Sequence, residues 1–252
     1  MNTKKTLIDI LKEFDKNRTY NRNSEKTWDE EAVAACFYEC AKQILCDGYF
    51  LINDEFIIDL GSIELYYHEE DGAIKDHIMY HTNEHISKSK LIELNGGYPY
   101  FKLGSFNLHQ SGVDVTFENG DEGKKYRASF LIRSYRVLRK GNEHELNDLT
   151  IPFDKCSTHL FDDMFYTGIQ LLDNEMAIEW RGANKSREIE QNPRKNVAMY
   201  NGFEKVTKED YDSNKCDIKT KVLEPQFFRY NGKDYLKENR QWQYKRIGII
   251  EQ

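Results

Sequence analysis

The chain has 252 residues, 39% of them hydrophobic, with only 4 Pro and 15 Gly and a net charge of −7. That length and composition suit one sizeable core and exclude a disordered or low-complexity chain. No apolar run reaches the ~18 residues of a membrane span, and the surplus of acid speaks against a protein that coats nucleic acid. The charge is uneven, with 16 Lys and Arg against 11 Asp and Glu in residues 180–252, and 20 against 32 in residues 1–179. The basic C-terminal part is therefore either a phosphate-facing surface or an ordinary solvated one. The five cysteines, Cys36, Cys40, Cys46, Cys156 and Cys216, form no CxxC pair. They read as free thiols in a reducing compartment, and MNTKKTLIDILKEF has no apolar leader segment, so a cytoplasmic location is expected.

In chain order, Leu7, Ile8, Ile10, Leu11 and Phe14 share one helical face and predict a helix over 3–17, followed by a polar break at Asn21–Ser24. A second helix is predicted from Thr27, with Thr27 and Glu30 as a capping box and Gly48 as its stop. Its packing face would hold Ala32, Ala35, Cys36, Cys40, Ile44 and Leu45. From Tyr49 the period falls to two: YFLI, FIIDL and SIELYY read as strands, with a tight turn at Asn53-Asp54 and a bulge or bend at Gly61. Phe101–Leu108, Val113–Phe117 and Arg127–Val137 read as further strands. A helix is predicted over Ser157–Ile169, short strands at Met176–Trp180 and Asn196–Tyr200, charged loop or surface helix over 204–221, and late strands in QFFRY and QWQYKRIGII. No linker divides the chain, so a single domain is expected over 1–252: a helical part over 1–47, a core over 48–200 and a C-terminal extension of it over 201–252.

Four constellations carry possible chemistry. Glu64 closes an apolar strand beside Ile63 and Leu65, with Tyr66 two residues on and hence on the same face. A partly desolvated carboxylate beside a flat ring suits a general base acting next to a planar group; the plainer reading is an exposed glutamate on an edge strand. His77, His81 and His85 fall at helical spacing, but with no HExxH and no third ligand a metal site is not expected. His109 and Asp114 flank the Ser111-Gly112 turn and suggest a pocket wall rather than a hydrolase triad. Arg133, inside an apolar run, either pairs with a site carboxylate, binds a phosphate, or points outward with Arg136.

Together, Glu64-Leu65-Tyr66 with Asp71 and Ala73, the apolar–Arg strand LIRSYRVL and the Pro193-Arg194 pair of NPRKNVAMY resemble, in that order, the alkyladenine (3-methyladenine) DNA glycosylase family over roughly residues 49–200. The resemblance implies an α+β fold, a curved, mainly antiparallel sheet with two N-terminal helices packed on it. It implies base-excision repair: Glu64 activates water against C1′ of a flipped nucleotide, Arg133 assists beside it, Tyr66 stacks on the base, and His77 closes the other side. HQSGVD lacks the family's asparagine, with Asp114 the residue that would replace it and His109 on the other side of the turn, and the reduced Tyr-rich strand YPYFKLGSF assigns no residue to the duplex gap, Phe101 being its candidate. His68 stands in place of a family glycine, His77 lies two residues later than the family spacing, and the Thr-Pro-Arg-Asn segment is absent. The expected partner is duplex DNA with a damaged purine, bound by a monomer without metal, cofactor or membrane. The alternative is a non-catalytic protein that uses the same scaffold to bind a modified nucleotide, a small planar ligand or a protein.

Overall fold

A computed structural model describes residues 5–23, 28–70, 72–74, 76, 100–109, 112–123, 125–156, 159, 177–194, 204–206, 221–223, 227–230, 233–236 and 240–251. Helix α1 spans Leu7–Asn23. Thr6 and Asp9 cap it reciprocally: Asp9 N–H donates to Thr6 Oγ1 at 3.2 Å, and Thr6 N–H donates to Asp9 Oδ2 at 3.0 Å. The helix runs past the predicted end because its buried stripe, Leu7, Ile10, Leu11 and Phe14, is continued by a buried arginine, Arg18. Helix α2 spans Glu30–Cys46, and its N-cap is Asp29, whose Oδ1 accepts from Ala32 N–H at 2.9 Å. Thr27 lies outside the described residues. The buried face of α2 is Val33, Phe37, Cys40, Ala41, Ile44, Leu45 and Cys46. Ala32 and Ala35 are not in it, because the larger Val33 and Phe37 rotate the helix to bury more apolar area.

The strands of the main sheet are β1 (Gly48–Ile52), β2 (Phe56–Glu69), β3 (Ser105–His109), β4 (Gly112–Thr116), β5 (Tyr126–Arg139), β6 (Lys155–Cys156), β7 (Ile178–Gly182), β8 (Ile189–Asn192) and, after β9 (Glu204–Val206), β10 (Lys221–Leu223), β11 (Phe227–Tyr230) and β12 (Lys233–Leu236), β13 (Gln243–Arg246). A short 3-10 turn, Glu143–Asn147, follows β5. The β1–β2 turn is built on Asn53 and Asp54, both at positive φ (51° and 56°), as a two-residue hairpin requires. Glu204–Val206, expected as loop or surface helix, is a strand that pairs in parallel with β10, while β11 and β12 form a hairpin. The predicted Ser157–Ile169 helix and Asn196–Tyr200 strand fall outside the described residues, apart from His159.

The nine-stranded sheet is α+β in its packing, antiparallel, and strongly curled into a half-barrel. Its spine is the β2–β5 ribbon, paired along nearly all of both strands. One edge of β2 pairs with β1 over Phe56–Ile58 and then with β13 over Ser62–Glu64. One edge of β5 pairs with β4 over Ser129–Leu131 and with β6 over Ser134–Tyr135. Each partner change coincides with a break in the ribbon's register: Leu60 faces Tyr135, Ser62 faces Ser134 and Ile63 faces Ile132, leaving Gly61 and Arg133 unpaired. These two bulges bend the ribbon and let its edges fork. Glycine is required at 61 because a Cβ there would meet Phe153 Cδ1 at 2.6 Å and Ser134 Oγ at 2.7 Å.

Both helices pack on one face of this sheet. Phe14 stacks on Phe37 with ring centroids 5.2 Å apart, and Phe37 meets Trp242 edge-on, also at 5.2 Å. Ile63, Leu65, Tyr67, Val113, Val115, Phe130 and Ile132 complete the core from the sheet side. At its margin Arg18 Nε donates to the Tyr67 hydroxyl at 2.5 Å and lies 4.4 Å from the Tyr126 ring centre, while Tyr67 donates to Glu69 Oε1 at 2.7 Å. Among the described residues no helix is long and apolar enough to cross a membrane.

Candidate functional site

The second face of the sheet carries a small apolar cluster at the β1–β2 end, Tyr49, Leu51, Ile57 and Leu138 with Leu146 and Ala183, and further along β2 and β5 its buried residues are mainly polar. Directly opposed residues of antiparallel strands share a face. The pairs Asn107–Asp114, Asp114–Leu131, Leu131–Glu64, Glu64–Gln243 and Gln243–Asn192 therefore form one row crossing five of the strands that β2 and β5 organise, plus β8. The next row runs Ser105, Thr116, Ser129, Tyr66. The side chains at 63, 65, 113 and 115 enter the helix-side core, so 64, 66, 114 and 116 point the other way. Glu64, Asp114, Thr116, Ser129 and Gln243 are nevertheless all under a tenth exposed.

Glu64 lies at the middle of its row. Its Oε2 accepts a hydrogen bond of 2.9 Å from the Tyr66 hydroxyl, and its Oε1 lies 3.5 Å from Arg133 Nε. The carboxylate is 1% exposed and the arginine side chain 25%, so the guanidinium joins a buried anion to the outside. The β5 bulge is what places it there, by releasing Arg133 from the pairing register. Burial, and after it the charge of Glu64, pushes the Tyr66 hydroxyl well above its ordinary range, with Asp114 acting in the same direction. Tyr66 is thus a fixed hydrogen-bond donor, and Glu64 an oriented acceptor with two different partners.

Behind this pair stands a second ionic contact. Arg194 binds Asp76 through Nη1–Oδ2 at 2.7 Å and Nη2–Oδ1 at 3.3 Å, and its guanidinium lies 4.7 Å from the Tyr66 ring centre and 5.2 Å from that of Trp242. Burial works against ionised Asp76, but Arg194 and Arg240 outweigh it and hold the carboxyl below its ordinary value. Asp76 also anchors its segment to β2: its N–H donates to His68 Nδ1 at 3.2 Å. His68, on the same face as Glu64 and Tyr66, is thereby a buried structural acceptor.

Two further charge clusters flank the row. Toward the start of β2, Asp59 takes three cations: Arg136 Nε at 2.9 Å, Lys185 Nζ at 2.7 Å and Arg246 Nη1 at 3.2 Å. Backbone carbonyls of Gly48, Glu145, Leu146 and Ile151 accept further hydrogen bonds from these cations, while Arg246 Nε is buried without a hydrogen-bond partner among the described residues. Toward the far end, Arg127 bridges Glu70 at 3.0 Å and Glu118 at 2.9 Å, and Tyr100 donates to Glu70 at 2.6 Å.

Fold and row together define a class: an α+β chain whose half-barrel buries an ion-paired polar stripe on the face away from its helices. No protein-family model, no curated protein and no solved structure matches it. The class is therefore defined by this chain's own geometry.

Of the residues singled out from the sequence, Glu64, Tyr66 and Arg133 converge, and Asp114 lies on the row of Glu64. Phe101 joins the flanking cluster instead, with its N–H donating to Glu118 Oε2 at 2.9 Å. His109 pairs with Gly112 at the end of the β3–β4 hairpin. Asp71, His77, His81 and His85 lie outside the described residues. Among the described residues, no three metal-ligating side chains converge. Sequence reasoning gave no role to Asp76, Ser129, Gln243 or Arg194. The Pro193-Arg194 motif marked Arg194's position, but nothing local marks Gln243 or Asp76, whose placement depends on strands far apart in the chain.

Proposed function

We propose that the Glu64–Tyr66–Arg133 constellation is the centre of a DNA-repair N-glycosylase that excises alkylated purines with water activated by Glu64. The observation that carries the reading is the carboxylate itself. It is fully buried, yet each oxygen is held by a different donor, and one donor reaches the surface. Such a carboxylate is fixed in orientation, as a base must be to take a proton from water attacking C1′. It also provides negative charge where the sugar becomes oxocarbenium-like. Arg133 orients Glu64 and offers a cation toward a phosphodiester. No step requires a metal or a lysine. The test is base release from duplex DNA carrying 3-methyladenine, 7-methylguanine or hypoxanthine, with Glu64→Gln beside wild type. Loss of about 10²–10⁴-fold in the isosteric variant, with an unchanged melting curve, is the expected result. Equal activity in both proteins refutes the assignment.

Two observations favour a second reading, a non-catalytic binding protein on the same scaffold. The Arg194 guanidinium occupies one face of the Tyr66 ring, and the net charge of −7 is unusual for a duplex-binding surface. Under the enzyme reading, affinity for duplex DNA falls steeply with added salt as phosphate contacts release counterions. Under the binding reading, wild type and Glu64→Gln bind the same planar ligand and neither releases base.

A further inference from the structure

We infer that Ser62, Ser134 and Lys245 form a phosphate subsite beside Glu64, and that the Glu251 carboxylate occupies it as an internal stand-in for a substrate phosphate; that the subsite serves Glu64 rests on the glycosylase reading. Lys245, Ser62 and Ser134 are directly opposed across β13, β2 and β5, one row along from Gln243, Glu64 and Leu131 on the same face. Ser62 and Glu64 are two residues apart on β2, about 7 Å along the strand, a distance that a nucleotide covers between its sugar and its phosphate. Both serines are buried. Their occupant comes from outside the sheet. After β13 the chain reverses at Gly248, which is in the left-handed region at φ 84°, and Ile249 is buried beside Gly61. Phe153 N–H donates to Ile250 O at 2.8 Å, and Ile247 and Ile250 stay exposed. Glu251 then reaches the row: its Oε1 accepts from Ser62 Oγ at 2.7 Å and from Ser134 Oγ at 2.6 Å. Its Oε2 lies 3.2 Å from Lys245 Nζ, whose other anionic neighbour is Glu190 at 3.9 Å.

The carboxylate satisfies this subsite incompletely. The two serine oxygens are themselves 2.7 Å apart, so with Glu251 Oε1 they form a triangle of nearly equal sides. Two hydroxyls supply two protons, so one of the three close contacts has none. Burial works against ionised Glu251, but Ser134, Ser62 and Lys245 outweigh it and hold the carboxyl below its ordinary value, so it adds no third proton. A tetrahedral oxyanion presents several oxygens. Each serine can then reach its own, the hydroxyls need not converge on one atom, and another oxygen faces the lysine in a charge-assisted bond.

The experiment follows inorganic phosphate by phosphorus NMR with wild type, Glu251→Ala and Glu251→Ala/Lys245→Gln, and compares the urea midpoint of each in phosphate and in chloride of equal ionic strength. Glu251→Ala should broaden the phosphate signal, and its midpoint should rise in about 10 mM phosphate, because an anion bound only by the folded chain stabilises it by mass action. Wild type, whose subsite is filled, and the double variant, which lacks the cation, should do neither. If Glu251→Ala is merely less stable and phosphate changes nothing, Glu251 is a structural clasp and the proposal falls. Equal effects of phosphate on all three proteins would mean an adventitious ion only. Undamaged duplex DNA should displace phosphate from Glu251→Ala. Phosphate that stays bound would make the subsite one for free phosphate and refute its link to Glu64. Base release by wild type bears on the glycosylase reading and phosphate binding by Glu251→Ala on the subsite, so the failure of one is distinguishable from the failure of the other.

Discussion

The two faces of this sheet bury comparable residues by opposite means. On the helix side Phe14, Phe37, Ile63, Leu65 and Trp242 are withdrawn from water because they are apolar, and their packing tolerates small changes of shape. On the other side Asp59, Glu64, Arg127, Arg136 and Arg246 are equally withdrawn. There the attraction between charges must offset a desolvation cost of several kcal/mol per ion, and close ion pairing supplies it even though Arg246 Nε has no hydrogen-bond partner among the described residues. The same backbone therefore holds one face on which volume matters and another on which charge matters. A site for chemistry belongs on the second, where oriented charges in low dielectric act strongly on a bound group.

The sharpest way to break the comparison is a substitution that keeps volume and removes charge. Asp59→Asn leaves Arg136, Lys185 and Arg246 around an uncharged amide. It should cost about 3–5 kcal/mol, since removing one partner strands buried charge. Urea denaturation of the two proteins measures it. A loss below about 1 kcal/mol would mean that the backbone carbonyls alone hold the three cations.

How much of this was legible in the chain follows from the same division. Alternating apolar residues announce the core face, so β1, β2, β4 and β5, the Asn53-Asp54 turn and the Gly61 bulge are all readable locally. The polar face is written in the same strands, but its meaning depends on partners. Glu64, Tyr66 and Arg133 were found because a charge inside an apolar run is conspicuous. Gln243 and Asn192 look like ordinary surface residues until β13 inserts between β2 and β8. The expected face of α2 holds at Cys40, Ile44 and Leu45 but not in its first turns, where periodicity alone admits two stripes and the bulk of Val33 and Phe37 displaces Ala32 and Ala35.

A subtler test uses pH at the far end of the polar face. Burial pushes Glu118 from 4.5 up to about 8, against the pull of Arg127 and the Phe101 N–H. A carboxyl whose folded value lies above its unfolded one adds most stability when both states are protonated. Between those two values the unfolded chain binds fewer protons, so stability falls as pH rises. The contribution is complete below 4.5 and lost through about 8. Glu118→Gln should flatten the fall of the urea midpoint across that window. An unchanged slope would show that Arg127 keeps Glu118 ionised throughout.

The smallest expected effect completes the contrast on the apolar side. Ile63 is fully buried and neighbours Glu64 in sequence, but its side chain enters the helix-side core. Ile63→Val removes one methylene and keeps the β-branched shape that suits a strand. The cost should be about 0.5–1.5 kcal/mol, the transfer energy of that group plus a small cavity. If base release is measured on the same protein, it should stay close to wild type, because Glu64, Tyr66 and Arg133 project from the other face. A large loss of release with little loss of stability would mean that the core sets the position of the Glu64 carboxylate through the strand, and that the two faces are mechanically coupled rather than merely back to back.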